Sequence, residues 1–382
     1  MKKKIAILGS TGSIGKCLID IIKKDKKNFE IILLSADENY KELLKQAKTL
    51  KVKNLIINNK NSYKKIKNDK ISNKIKIYNN FDCYKEIFKK KVDYTMSSIS
   101  GIEGLKPTIE IVKYTKRVAI ANKEAIICGW NLINKELKKN KTNFIPVDSE
   151  HFSIWYALKG IDKKIIDKIY LTASGGPFVG QKLSELHNKT PEEALKHPNW
   201  DMGAKISVDS ATLVNKCFEL IEAKHLFSLG PELLDIKIHR QSVIHSMLEF
   251  KDGSVEAQMS QPSMIIPLAY GLLGGYSQDI KKDFSLDLLN RNIDLSLEQF
   301  PEDRKKLRDI TLDVMNSEDN SGLVFATLND IAVKKFLNKK IKFGAIYNLI
   351  LDNYYLIDKK EVNSIQELES NRLEILNLID GK

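Results

Sequence analysis

The first fifteen residues restrict the fold most. Lys4–Leu8 is an apolar run with too little alternation for a half-exposed strand, so it reads as a buried parallel strand. It runs into Gly9-Ser10-Thr11-Gly12-Ser13-Ile14-Gly15, which opens a helix predicted to reach about Lys24. A strand, a turn with glycine at every third position and a helix form a variant of the dinucleotide fingerprint. The glycines permit a tight turn and close backbone approach, and the helix N-terminus can face a pyrophosphate.

Further β/α units follow at Phe29–Leu34, Asn54–Ile57, Lys74–Tyr78, Tyr94–Ser97 and Arg117–Ala121, and this half closes around Phe144–Val147. After the second strand, Asp37 or Glu38 suits a free ribose 2′-hydroxyl, whereas a 2′-phosphate wants a cation, which Lys41 or Lys45 could supply. Both carboxylates could equally face solvent. Ser97–Gly101 and Ala121-Asn122-Lys123-Glu124 lie at C-terminal strand edges, where a parallel sheet admits ligands.

From Asp148 to about Tyr276 the pattern becomes α+β with a mostly antiparallel sheet. It holds a strand at Lys168–Thr172, a helix at 211–227, a strand near Asp235–His239 and a hairpin across Asp252-Gly253. The polar segment 174–205 is long enough to suggest a lid. From about Pro301 the pattern is helical, with helices at Glu302–Met315, Gly322–Phe336, Phe343–Asn353 and Ile365–Ile379 and no metal, nucleophile or phosphate signature. Packing or dimer support is its expected role. The expected fold is α/β: a Rossmann-like parallel sheet (1–147), a central α+β catalytic domain (148–285), and a linker with a small helical domain (286–382).

The net charge of +13 raises the question of nucleic acid, yet only six of the 62 cationic side chains are arginine and aromatics are not interleaved with the lysines in any recognisable binding module. No nucleic-acid partner is expected, and anionic small molecules fit the charge. No apolar run approaches a membrane span, and Ile5–Leu8 is too short for a signal-peptide core, so a cytoplasmic protein is expected. Cys17, Cys83, Cys128 and Cys217 are scattered and read as buried thiols. Lysine-rich loops such as 60–76 carry no motif.

Chemistry concentrates between residues 146 and 219. In Pro146-Val147-Asp148-Ser149-Glu150-His151, an extended backbone would put Asp148 and Glu150 on one face. Glu219 shares a helix face with Asn215 and Lys216. Three carboxylates without a competing His/Cys set favour Mg²⁺ or Mn²⁺ over zinc. Taken singly, Asp148 could be a loop cap and Glu219 a helix-surface charge. Asp209-Ser210 precedes the predicted helix, and either residue could be its N-cap. That position, with Lys216 further along and Ser174 beside Gly175-Gly176, also suits an anion. His197 and Trp200 either close over a ligand or pack a loop. His245, in an apolar strand, reads as a core histidine.

These stretches together resemble the 1-deoxy-D-xylulose 5-phosphate reductoisomerase family. The likeness rests on Gly9–Gly15, Ala121–Glu124, Pro146–His151, Ser174–Phe178, His197–Met202, Lys205–Thr212, Asn215–Ala223 and His239–Met247. It implies an NADPH-dependent, Mg²⁺- or Mn²⁺-dependent rearrangement and reduction yielding 2-C-methyl-D-erythritol 4-phosphate. The implied rearrangement is a retro-aldol/aldol sequence followed by hydride delivery. By the same resemblance, Asp148, Glu150 and Glu219 are metal ligands, and Lys123 and Ser149 contact the substrate's oxygenated backbone. Ser174, Ser210, Asn215 and Lys216 take its phosphate, while His197, Trp200 and Met202 belong to the lid. Gly9, Thr11, Gly12, Ser13, Ile14, Asn39, Asn122, Glu124 and Met264 fall on the cofactor side. Homodimerisation is implied too.

Two departures stand out. Asp37-Glu38-Asn39 replaces a glycine, a basic residue and Asn, which weakens the case for strict NADP preference. Phe325–Asp330 replaces a run like LNAANE, where altered packing rather than altered chemistry is expected. The alternatives are a dehydrogenase of the homoserine or semialdehyde type, which has no obvious need of three carboxylates, and a non-catalytic nucleotide- or nucleic-acid-binding protein.

Overall fold

The structure, a computed structural model, describes residues 2–69, 74–275, 284–288, 290 and 292–380. The predicted domain end near Tyr276 and part of the lysine-rich stretch, residues 70–73, lie outside them. Two compact units emerge: Met1–Asp148 with Met264–Ile280, and Ser149–Ser263 with Lys281–Lys382.

The first unit is built on seven strands: β1 (Lys3–Leu8), β2 (Phe29–Ala36), β3 (Asn54–Ile57), β4 (Lys76–Tyr78), β5 (Tyr94–Ser97), β6 (Arg117–Ile120) and β7 (Asn143–Pro146). They pair in the order β4-β3-β2-β1-β5-β6-β7, and every pairing is parallel. The central strands are largely apolar because helices cover both faces, giving one core around Ile5, Ile7 and Leu34 and another around Ala6, Leu8 and Leu33. Strand order reverses between β1 and β5, which is where such sheets bind ligands. The helix Ile265–Leu273 also belongs here: Leu268 and Leu272 enter the first core, and Lys3 Nζ donates to the Leu273 carbonyl at 2.8 Å.

The second unit holds β8 (Ile166–Ala173), β9 (Leu234–Ile238), β10 (Ile244–Phe250), β11 (Val255–Met259) and β12 (Glu298–Gln299), ordered β11-β10-β8-β9-β12. Only β8–β9 is parallel. The hairpin turns at Gly253, whose φ of +86° suits glycine. Helices Lys305–Asn316, Ser321–Leu337, Gly344–Tyr354 and Ile365–Asp380 group with this sheet. Ser321–Leu337 is buried on nearly every side.

Two local expectations need correction. The helix predicted at 211–227 is two helices, Ala204–Thr212 and Val214–Phe227, broken at Leu213, whose φ is +66°. Asp209 and Ser210 therefore lie in the last turn of the first helix and cap neither. Glu150 is not in extended chain; it sits in the first turn of the helix Ser149–Ala157.

Candidate active site

In the first unit, the loop after β1 meets the loop after β5. Ser98 Oγ donates to the Leu8 carbonyl at 2.8 Å, and a Cβ on Gly9 (φ +79°) would lie 2.5 Å from the Ser98 carbonyl oxygen. A Cβ on Gly15 would lie 2.4 Å from the Gly9 oxygen, so both positions demand glycine. Gly12 caps the helix Ser13–Lys24 without a side-chain hydrogen bond, and a Cβ there would meet only the Gly9 oxygen at 3.5 Å. Thr11 and Ile14 are half-buried while Gly12 and Ser13 are exposed, so the N-terminal face of this helix is open to an anion.

Asn39 caps the helix Tyr40–Leu50 by accepting from Glu42 N at 3.2 Å. Glu38 accepts from Asn59 Nδ2 at 3.3 Å. Burial, with Glu38 and Glu103 nearby, raises the Asp37 carboxyl above the usual range. Buried Asn122 caps the helix Lys123–Asn140 and donates to the Ile99 and Gly101 carbonyls, fixing the β5 loop against the start of that helix. Glu124 is buried in that first turn, and Met264 packs against the first core. Lys123 Nζ lies 2.5 Å from Asp148 Oδ2.

The second unit begins one residue later. Asp148, joined directly to it, offers a carboxylate oxygen within 4.8 Å of oxygens on Glu150 and Glu219. The turn into helix Ser149–Ala157 makes this convergence, not the extended alternation expected. Glu219 is 1% exposed: Asn215 Nδ2 donates to one oxygen at 2.6 Å and Lys216 Nζ to the other at 2.5 Å. Lys216 Nζ also lies 3.0 Å from Glu150, whose other oxygen accepts from Ser149 Oγ at 2.7 Å. Behind them, buried His151 holds the Glu219 carbonyl at 2.9 Å. Three carboxylates converging with no thiolate or imidazole among them suit a hard, oxygen-seeking divalent ion.

The Ser174-Gly175-Gly176 turn closes on Ser210. Gly176 has φ +69°, and a Cβ there would lie 2.7 Å from the Ser210 carbonyl oxygen. Ser210 is thus brought to the turn that carries Ser174, while Leu213 turns the chain into the helix bearing Asn215 and Lys216. His197 Nδ1 accepts from Asn199 N and Trp200 N at 3.1 and 3.0 Å, which assigns the ring proton to Nε2. Nε2 then donates to Ser174 Oγ at 2.9 Å. Burial lowers the His197 pKa to about 4, so the ring is neutral near pH 7.

His245 is buried in β10 as expected of a core histidine, and it also meets the edge of Trp200, with ring centroids 6.4 Å apart. Asn199 was given no role from the sequence. It donates to the Arg240 carbonyl and to Ser242 Oγ at 2.7 and 2.8 Å, and its place in His197-Pro198-Asn199-Trp200 was the available signal.

Three family models match: 1-deoxy-D-xylulose 5-phosphate reductoisomerase over residues 5–129, that enzyme's C-terminal domain over 144–227, and a DXP reductoisomerase C-terminal domain over 259–374. A 1-deoxy-D-xylulose 5-phosphate reductoisomerase of Pelagibacter ubique is 45% identical, covering 99% of this chain and 97% of its own. One of Clostridium tetani is 38% identical over 96% of each. Among solved structures, the Zymomonas mobilis reductoisomerase in complex with NADPH is 31% identical with a TM-score of 0.85, covering 100% of this chain and 98% of its own. A DOX-P reductoisomerase in complex with NADPH, fosmidomycin and magnesium is 29% identical with a TM-score of 0.87, covering 99% and 98%.

Fold and chemistry together define a class: an oxidoreductase with a Rossmann-type nucleotide unit and an oxygen-donor metal cluster. Within it, the chain belongs to the 1-deoxy-D-xylulose 5-phosphate reductoisomerase family.

Proposed function

We propose that this chain converts 1-deoxy-D-xylulose 5-phosphate to 2-C-methyl-D-erythritol 4-phosphate, using NADPH and Mg²⁺ or Mn²⁺. The convergence of Asp148, Glu150 and Glu219 carries the assignment, because a plain dehydrogenase has no use for it. When bound, the metal supplies Lewis-acid polarisation and a template for the substrate's ketone and hydroxyl oxygens, and NADPH supplies hydride.

The chain's own residues do the rest. Asp148, Glu150 and Glu219 hold the ion. Lys123 and Ser149 orient the oxygenated substrate backbone. Ser174, Ser210, Asn215 and Lys216 take the phosphate, and the Ser174 hydroxyl can donate to it because its oxygen already accepts from His197 and Gly176 N. His197 acts as a neutral donor rather than a general acid. Trp200 and Met202 shield the site from water, a service best performed by a mobile segment. Within the long polar segment, Leu183 N is held by Asp303 at 2.6 Å and Glu192 by Lys339 at 2.6 Å. Gly9, Thr11, Gly12, Ser13, Ile14, Asn39, Asn122, Glu124 and Met264 serve the cofactor.

Among the described residues, no helix is long and apolar enough to cross a membrane. A cytoplasmic homodimer without nucleic-acid partners completes the proposal, as does the three-domain division, except that Met264–Ile280 groups with the first unit, while the helices from 286 onward are a subdomain grouped with the second. Following NADPH absorbance with substrate, with and without chelator, tests the activity. Metal-dependent oxidation is expected, and no turnover by folded protein would overturn the assignment.

A further inference from the structure

We propose that Asn329 and Asp330, in the helical region to which the sequence assigned only packing, are positioning residues for the substrate's phosphate. The inference rests on Ser210, Asn215 and Lys216 being the phosphate ligands. Asn329 is fully buried on the helix Ser321–Leu337, and its Nδ2 donates to Asp209 Oδ1 at 2.7 Å. Asp209 is 3% exposed and directly precedes Ser210. The other Asp209 oxygen accepts from Lys205 Nζ at 2.8 Å, and that amine lies 3.2 Å from Asp330. One turn on, Tyr347 Oη donates to the Thr212 carbonyl at 2.9 Å.

The tethers at Asp209 and Thr212 fall on the last turn of the helix Ala204–Thr212, just before the left-handed Leu213, and the Lys205–Asp330 pair holds its first turn. The last turn sets the direction of Ser210 and the start of the helix carrying Asn215 and Lys216. Apolar side chains could pack the two helices without burying a carboxylate. A carboxylate–amide bond adds direction: a carboxylate only accepts, so the amide has one orientation and the helix one rotation. Gly176, backed against the Ser210 carbonyl, leaves that rotation little slack. Phosphate ligands misplaced by a fraction of an ångström lose binding energy that a lid-closing enzyme uses.

The test compares Asn329→Asp, the reversed pair Asp209→Asn with Asn329→Asp, and Ser210→Ala. Asn329→Asp sets two carboxylates face to face, and the reversed pair restores an amide–carboxylate bond. The readouts are KM for 1-deoxy-D-xylulose 5-phosphate, the competitive inhibition constant of inorganic phosphate, the Mn²⁺ dissociation constant and Tm. Asn329→Asp should raise KM and the phosphate constant together by about tenfold, the scale of one lost hydrogen bond to a charged group. Mn²⁺ affinity should not change, and the reversed pair should recover most of the loss. Should Asn329→Asp fail to fold, Asn329→Ser is expected to move the same two constants less. The inference is overturned if folded variants change Tm or kcat and leave both constants alone, or if a folded reversed pair recovers nothing. Ser210→Ala separates the two levels: if it moves both constants and Asn329→Asp does not, the positioning role alone falls. If it moves neither, the phosphate assignment falls and takes the positioning role with it.

Discussion

Lys216→Met tests the charge balance at the centre of the site. The Lys216 side chain is 6% exposed, with its amine 3.0 Å from Glu150 and 2.5 Å from Glu219. At an effective dielectric near 20, each contact is a gross attraction of roughly 5–7 kcal/mol, largely offset by the cost of desolvating three charges. What remains on removing the cation is the penalty of a buried carboxylate left without it, about 3–5 kcal/mol. Urea unfolding in chelator should show a loss of that size, a large part of a typical 5–15 kcal/mol domain stability. The stranded carboxylates should then bind divalent ions more tightly. At a Mg²⁺ concentration 100 times the dissociation constant, a bound ion returns about 2.7 kcal/mol. Mg²⁺ should therefore stabilise the variant more than the parent, while KM for the phosphorylated substrate rises. A loss under about 1 kcal/mol in chelator, or no larger response to Mg²⁺, would refute the reasoning; surface pairs are worth only that much.

Three more outcomes are expected. Gly15→Ala should abolish NADPH binding because its Cβ would meet backbone at 2.4 Å, whereas Gly12→Ala, at 3.5 Å, should stay folded; fluorescence titration of NADPH and Tm check both. Burial lowers His197 and His225 from 6.5 to about 4, with Lys224 adding to His225, so between these values the unfolded chain binds more protons. Stability should fall as pH drops from about 6.5 to 4 and level off below, and replacing both histidines with Gln should flatten that limb of a urea-midpoint profile. Asp37→Asn should raise the NADPH-to-NADH ratio of kcat/KM, because Asp37 already sits against Glu38 and Glu103 and a 2′-phosphate would add to that charge. An unchanged ratio would remove Asp37 from cofactor choice.

Local signals in the sequence were reliable where one physical rule governed. Asn54–Ile57 and Tyr94–Ser97 form strands over the predicted residues because buried parallel strands are short apolar runs between turns. Asn215, Lys216 and Glu219 share a face because helical spacing alone puts them there. The misses needed information from elsewhere in the chain. Leucine gives no hint of a left-handed conformation, so the break at Leu213 was invisible, and with it the burial of Asp209 against Asn329, 120 residues away. The return of Ile265–Leu273 to the first sheet depends on contacts such as Lys3 with Leu273, 270 residues apart, which no local pattern encodes. Glu150 reached the carboxylate cluster by a helical turn rather than by alternation.

The most direct measurement is a Mn²⁺ titration, by calorimetry or electron paramagnetic resonance, of the parent and of Asp148→Asn, Glu150→Gln and Glu219→Gln. One ion per chain is expected, weakened in every variant by well over tenfold, since losing even outer-shell partners costs 10–100-fold. Parent-like Mn²⁺ affinity in all three folded variants would place the metal elsewhere and contradict the site.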